Sequence, residues 1–426
     1  MTRQEEIRTL MQENIVLAVG CTEPVAVALA AAKAKEVLGK EVNRVEMFLS
    51  KNIIKNAMGV GIPGTGMIGL PIAIALGICS GKSEKGLQVL ENAREYVDIA
   101  KEWLATHEIT IRHKDTDEKL YIECCCHSGN EFSKAIIAQN HQNFVLVQKN
   151  DDILLHKDWQ NQTKDGNSQS RDKDVASTLS AREIYDYADK TDVSFLEWIY
   201  QTAVVNEAMA KEGLTKEYGL GIGRRLHMDK DKNMREDIIS YACAAADARM
   251  DGATLPVYSN SGSGNQGLVC VLPVFEYAKR KNASKEETIR ALTLSNLMSI
   301  YIKNKIGRLS ALCGVVNASM GAVSGMIYIE KGSLLQVCYA IRNMINTITG
   351  MACDGAKPSC ALKISAGLNS AFDSMLLAMN NTVVNNTDGI AEDCIDKSIE
   401  NLGRIGRMGM NDMDDLILDI MVHKKH

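Results

Sequence analysis

The chain has 426 residues, of which 46% are hydrophobic and 24% charged, with a formal net charge of -5. That balance belongs to a soluble globular protein with one large core or two ordinary ones, and it excludes a disordered or fibrous chain. With no Lys/Arg-rich stretch carrying interleaved aromatics, nucleic acid is excluded as a partner.

The N-terminus is polar and lacks the charged-then-apolar layout of a secretory signal, so a cytoplasmic address is expected. Thr2 and Glu5 suit a capping box for a first helix running to about Val19, and a second helix is expected to begin near Pro24. Cys21 then lies at a helix–helix junction. Val42 to Leu49 reads as a strand, followed by a glycine-rich loop from Gly59 to Gly69 and helices to about Ala105. The most apolar window, Gly69 to Cys79, is too short to cross a bilayer, so no membrane partner is expected.

Four short runs bounded by turn residues predict a small antiparallel sheet: Ile109 to His113, Leu120 to Cys126, Lys134 to Gln139 and Phe144 to Gln148. Gln160 to Asp174 contains no large aliphatic residue and reads as a linker. Beyond it, Ser/Glu capping boxes at Ser180/Glu183 and Ser284/Glu287 introduce an almost wholly helical pattern. The fold class is therefore α+β. Residues 1–158 form a helical and antiparallel-sheet domain, 159–177 a polar linker, and 178–426 a mainly helical domain.

Twelve cysteines in a reducing compartment are buried thiols, metal ligands or catalytic groups rather than disulfides. Cys353 and Cys360 enclose Asp354, Gly355, Lys357 and Pro358, a loop between helices of the kind that presents a thiolate pair to an iron–sulfur cluster. Lys357 is placed to offset thiolate charge. Cys313 is the third candidate, among Gly314, Ala318, Gly321 and Gly325, which allow close helix packing or a ligand's approach. Three thiolate ligands leave one iron of a four-iron cluster open to substrate. Burial as small hydrophobes is the competing reading of these cysteines, and spacing alone does not decide between them.

The segments GCTEP at Cys21, GIPGTG at Gly61 to Gly66, SNSGSGNQG at Ser259 to Gly267 and both cysteine segments resemble the L-cysteine desulfidase family along the whole chain. That family is distantly similar to the α-chain of the bacterial iron–sulfur L-serine dehydratases. The resemblance implies a [4Fe-4S] cluster rather than pyridoxal phosphate, with Cys313, Cys353 and Cys360 as its ligands. It also implies a functional Cys21, as base or temporary iron ligand. The expected reaction is elimination of hydrogen sulfide from L-cysteine, leaving pyruvate and ammonia.

Cys21, just ahead of a helix N-terminus, is expected to be a thiolate, because the helix dipole and free amides lower a thiol's pKa. SGSGNQG offers consecutive amides for a substrate carboxylate, with Ser261, Ser263 and Asn265 as the binding residues. Gly59, Gly61 and Gly64 formally fit GxGxxG, yet Pro63 interrupts the turn and no run of βαβ units follows, which favours an active-site loop over a dinucleotide site. Cys124, Cys125 and Cys126 alternate faces on a strand and cannot share one ion. Lys51, Lys55, Lys303 and Lys305 flank the motifs without being assigned to the chemistry. The partner expected is thus a small amino acid, homo-oligomerisation being compatible with the sequence. The rivals are an iron–sulfur L-serine dehydratase and a non-catalytic iron–sulfur sensor or cluster-binding module.

Overall fold

The computed structural model describes residues 1–116, 118–159, 175–307 and 310–423. The tract read as a linker, Gln160 to Asp174, lies outside them. The N-terminal region runs α1 (Arg3–Asn14), β1 (Leu17–Val19), α2 (Thr22–Leu38), β2 (Arg44–Leu49), α3 (Lys51–Ala57), α4 (Leu70–Cys79), α5 (Val97–Thr106), then β3 (Glu108–His113), β4 (Tyr121–Ser128), β5 (Glu131–Ala138), β6 (Phe144–Lys149) and β7 (Asp152–His156). The remainder comprises α6 (Val175–Thr178), α7 (Ala181–Lys190), α8 (Ile199–Thr215), α9 (Ile222–Met228), α10 (Met234–Met250), β8 (Pro256–Tyr258), α11 (Gly264–Arg280), α12 (Lys285–Ile306), α13 (Gly314–Ile329), α14 (Leu334–Ile348), α15 (Cys360–Met379), α16 (Ile395–Arg404) and α17 (Asn411–Val422). The α+β class read from the sequence is the one observed.

Strands β2 to β7 form a single sheet in the order β3-β2-β4-β5-β6-β7. It is not wholly antiparallel as expected, because β2 pairs with β3 in parallel. The reason is the intervening helices α3 to α5, which return the chain to the same edge, a crossover that parallel pairing requires. One face of the sheet packs on α2, burying Val45, Met47, Cys124, Cys126, Ala135 and Ile137 against an alanine-rich helix. Cys125 points to the other face, toward Glu123 and Lys134. The three adjacent cysteines are thus divided between two faces and do not converge.

The larger hydrophobic cluster is helical, centred on α10 to α15. Helices α12 and α13 approach closely through Gly321, where a Cβ would lie 2.4 Å from the Ser295 carbonyl oxygen. Thr2 and Ser284 form complete capping boxes with Glu5 and Glu287, while Ser180 accepts only the Glu183 amide.

The first helix ends at Asn14, earlier than Val19, because the chain leaves it to form β1. Strand β1 pairs antiparallel with β8, Ala18 opposite Val257, and Ile7, Leu10, Met11 and Ile15 pack into the helical cluster rather than against the sheet. At the other end of the chain, α17 packs on α3. Both termini therefore bind the sheet-bearing and helical regions together, and the residues singled out in the sequence lie along that junction. Among the described residues, no helix is long and apolar enough to cross a membrane.

Candidate active site

The β1–β8 pair brings two sequence-distant loops side by side. Past β1 the chain reaches Cys21, the N-cap residue of α2; past β8 it runs through Ser259 to Ser263, the N-cap residue of α11. Backbone bonds from Ser259 N to Val16 O (2.8 Å) and from Ser261 N to Asn14 O (3.0 Å) lock the two together. Ser261 adopts φ +50°, a left-handed conformation that is uncommon outside glycine and costs strain, of a kind concentrated at binding sites.

A second pair of segments meets them. Cys313 is the N-cap residue of α13 and Cys360 the first residue of α15. Cys313 N donates to Met351 O at 2.9 Å and Cys353 N to Ala311 O at 2.6 Å, so a short two-strand contact holds Cys313 and Cys353 together. Cys21, Ser261, Ser263, Asn265, Cys313, Cys353 and Cys360 all line one cavity of about 110 Å³. At roughly 10–15 Å³ per water-sized position, that volume admits a molecule of a few heavy atoms and excludes a dinucleotide. The positive ends of α2, α11, α13 and α15 face it, which favours thiolates and anions.

The electrostatics divide the cysteines. Cys353 is drawn down to about 6: the Cys313 thiol hydrogen-bonds to it, and the Lys55 and Lys363 ammonium groups lie nearby, together outweighing burial. Cys313, holding the shared proton, is pushed well above the usual thiol range. Burial raises Cys360 as well. Lys303 is buried at the same wall and burial brings it down to about 8, with Cys353 and Cys313 pulling the other way.

Lys357 acts on one of the thiols as expected, its charge and its backbone both working to lower Cys360 against burial. It pairs with Asp354, and so does Lys363, whose Nζ also donates to Ala352 O at 2.9 Å. The cations that act on Cys353 are Lys55 and Lys363.

Cys21 departs from expectation too. It is a buried thiol whose Sγ donates to Glu23 Oε2 at 3.1 Å, and burial together with the Glu23 charge pushes its pKa well up, so it is no resting thiolate. The α2 dipole is outweighed, because a terminus effect of about 1 kcal/mol cannot offset full desolvation beside a carboxylate. Glu23 also accepts from Thr22 Oγ1 (3.0 Å) and Asn56 Nδ2 (3.0 Å). Burial raises the Glu23 carboxyl, but His141 and these donors more than offset it and hold it below the usual range.

Glu23, His141, Arg249, Asn52 and Lys55 thus join the cavity without having been assigned by sequence reasoning. Glu23 sits inside GCTEP and its proximity to Cys21 was readable. His141 arrives from the β5–β6 connection and Arg249 from α10, and no sequence pattern ties either to the motifs. The GIPGTG loop, expected in the active site, does not line the cavity. It backs the Cys21 turn, with Pro63 against Gly20 and Gly61 N bonded to Met250 O at 2.9 Å.

Among the described residues, no three His, Cys, Asp or Glu side chains converge tightly enough for a single metal ion. A four-iron cluster asks for something different, since its thiolates bind separate irons and stand further apart. Cys313 and Cys360 at helix starts and Cys353 in the loop before α15 line one cavity, with Cys353 already inclined to ionise and lysines beside it, and this donor set fits such a group once the hydrogen-bonded Cys313 and Cys353 part to reach separate irons.

The family model for the serine dehydratase alpha chain matches residues 84–419. UPF0597 proteins of Phocaeicola vulgatus, Porphyromonas gingivalis and Actinobacillus pleuropneumoniae are 47%, 45% and 40% identical, each alignment covering 99% of this chain and 98–99% of the relative. The chain belongs to the serine dehydratase alpha chain family, in its UPF0597 group.

Proposed function

We propose that the protein is an iron–sulfur lyase that eliminates hydrogen sulfide from L-cysteine. The observation that carries this reading is the meeting of Cys313, Cys353, Cys360 and the Cys21–Glu23 pair in one small cavity, in a chain of this family. Bound through Cys313, Cys353 and Cys360, a [4Fe-4S] cluster would supply an open, Lewis-acidic iron that eases departure of the substrate's sulfur.

The protein's own groups do the rest. Ser261, Ser263 and Asn265, at the start of α11, orient the amino acid within the cavity. The Glu23 carboxylate accepts the Cys21 proton, and the Cys21 sulfur takes the proton from Cα. Because its pKa is raised, that sulfur is a stronger base once ionised, as a weakly acidic carbon proton requires. Lys55 and Lys303 keep the cavity positive where charge collects on the departing sulfide. Aminoacrylate leaves, tautomerises to the imine and hydrolyses, so that cysteine and water become pyruvate, ammonia and hydrogen sulfide.

L-Serine is the second reading, favoured by the description of the family model itself. Anaerobically reconstituted protein should release pyruvate and sulfide from L-cysteine with a higher kcat/KM than pyruvate from L-serine. The reverse order assigns it as a dehydratase, and a cluster that binds without turning over either amino acid assigns a sensor.

A further inference from the structure

Arg249 lies one residue before the end of α10 and is 2% exposed, with its guanidinium in the wall of the cavity. Among the described residues its two hydrogen-bond acceptors are neutral. Nη1 donates to Asn265 Oδ1 at 3.0 Å and Nη2 to the Gly20 carbonyl at 2.9 Å. Its Nε–H is buried and has no acceptor there. An ionised group taken out of water with no carboxylate in contact is costly, and an unused buried donor adds to that cost.

The surroundings are fitted to this guanidinium. A Cβ on Gly264 would lie 2.3 Å from Nε and 2.4 Å from Cζ, so only glycine leaves the guanidinium in its place. Gly264 is also the first residue of α11, whose N-terminal amides favour negative charge. The planar guanidinium fork matches a carboxylate in a way that a lysine ammonium does not. In the small cavity it shares with Cys21, that carboxylate must belong to a molecule of a few heavy atoms.

We infer that Arg249 is the charged binding residue for the α-carboxylate of the amino-acid substrate, with Gly264 leaving the guanidinium room to take its place in the cavity wall. The identity of the amino acid rests on the lyase reading; the carboxylate does not. Arg249 also steadies the Gly20 turn, so the test must separate binding from support.

The test uses L-alanine, which has the carboxylate and amine but no leaving group, and cysteamine, which has the thiol and amine but no carboxylate. Equilibrium binding of each is measured on anaerobically reconstituted wild type, Arg249→Gln, Arg249→Lys and Gly264→Ala, with iron content read alongside. Arg249→Gln and Gly264→Ala should weaken L-alanine by about tenfold or more and leave cysteamine within twofold, with Arg249→Lys in between. Unchanged L-alanine affinity at wild-type iron content, or equal loss of both ligands, overturns the assignment. Should Arg249→Gln fail to fold, Gly264→Ala, which keeps the arginine, decides the matter alone. Arg249-dependent L-alanine binding in a wild type that makes no pyruvate sinks the lyase reading and keeps this one. Pyruvate formation with Arg249-independent binding does the opposite.

Discussion

Lys55 and Asp414 form a buried ion pair across the junction between α3 and the C-terminal helix α17, with the Lys55 side chain 2% exposed. The same ammonium donates to the Cys353 carbonyl at 3.1 Å, and Asn52 Nδ2 donates to the other Asp414 oxygen at 3.2 Å. A helix at the far end of the chain thereby reaches the segment that carries Cys353. Removing one member of such a pair leaves an uncompensated charge in the interior and costs about 3–5 kcal/mol. Asp414→Ala should lower stability to chemical denaturation by about that amount, whereas alanine at the exposed Leu416 should change little. Equal effects of the two would show that the pair is not what holds α17.

Thiol reactivity should divide the cavity cysteines. In protein stripped of metal and fully reduced, alkylation of Cys353 followed by peptide mass mapping is expected to rise with a midpoint near pH 6, the value to which Cys313 and the lysines bring it. A thiol with a lowered pKa ionises, and reacts, above that pH. Cys21 and Cys360 should stay unreactive until well above neutral pH, since burial raises both. Modification of all three along one pH curve would contradict this ordering.

Glu23→Gln removes the acceptor of the Cys21 proton while keeping the shape of the side chain. Loss of a general-base partner typically costs about 10²–10⁴ in rate. Turnover of L-cysteine should fall into that range with KM little altered and iron content unchanged. A rise in KM with kcat preserved would move Glu23 from proton transfer to binding.

Gly321→Val tests how tightly the cysteine-bearing helix is seated. The first side-chain atom would already stand 2.4 Å from Ser295 O, a backbone atom that cannot step aside. Overpacking of this kind costs about 1–3 kcal/mol or more, seen as a lower denaturation midpoint. A variant as stable as wild type would mean that α12 and α13 have room to part.

What could be read from the sequence divides along a physical line. The grouping of Cys313, Cys353 and Cys360 came from the family resemblance, their spacing alone leaving burial as small hydrophobes open; helix starts and the five longer strands were legible because capping residues and alternation are local signals. The parallel β2–β3 edge was not, since it depends on where α3 to α5 deliver the chain. Nor was the protonation of Cys21: the local signal, a helix N-terminus, points one way, while burial beside Glu23 points the other and prevails. Arg249 and His141 lacked any local signature, as their place in the cavity comes from helix and sheet packing alone.

In the proposed lyase, Cys313, Cys353 and Cys360 of the helical region together hold one cluster. Anaerobic reconstitution of wild type and of Cys313→Ala, Cys353→Ala and Cys360→Ala, with iron and acid-labile sulfide counted on each, tests it most directly. Wild type should bind about four of each per chain, every variant should lose most of both, and Cys21→Ala should keep them while losing turnover. Full iron and sulfide in any one of the three variants would show that its cysteine is not a cluster ligand.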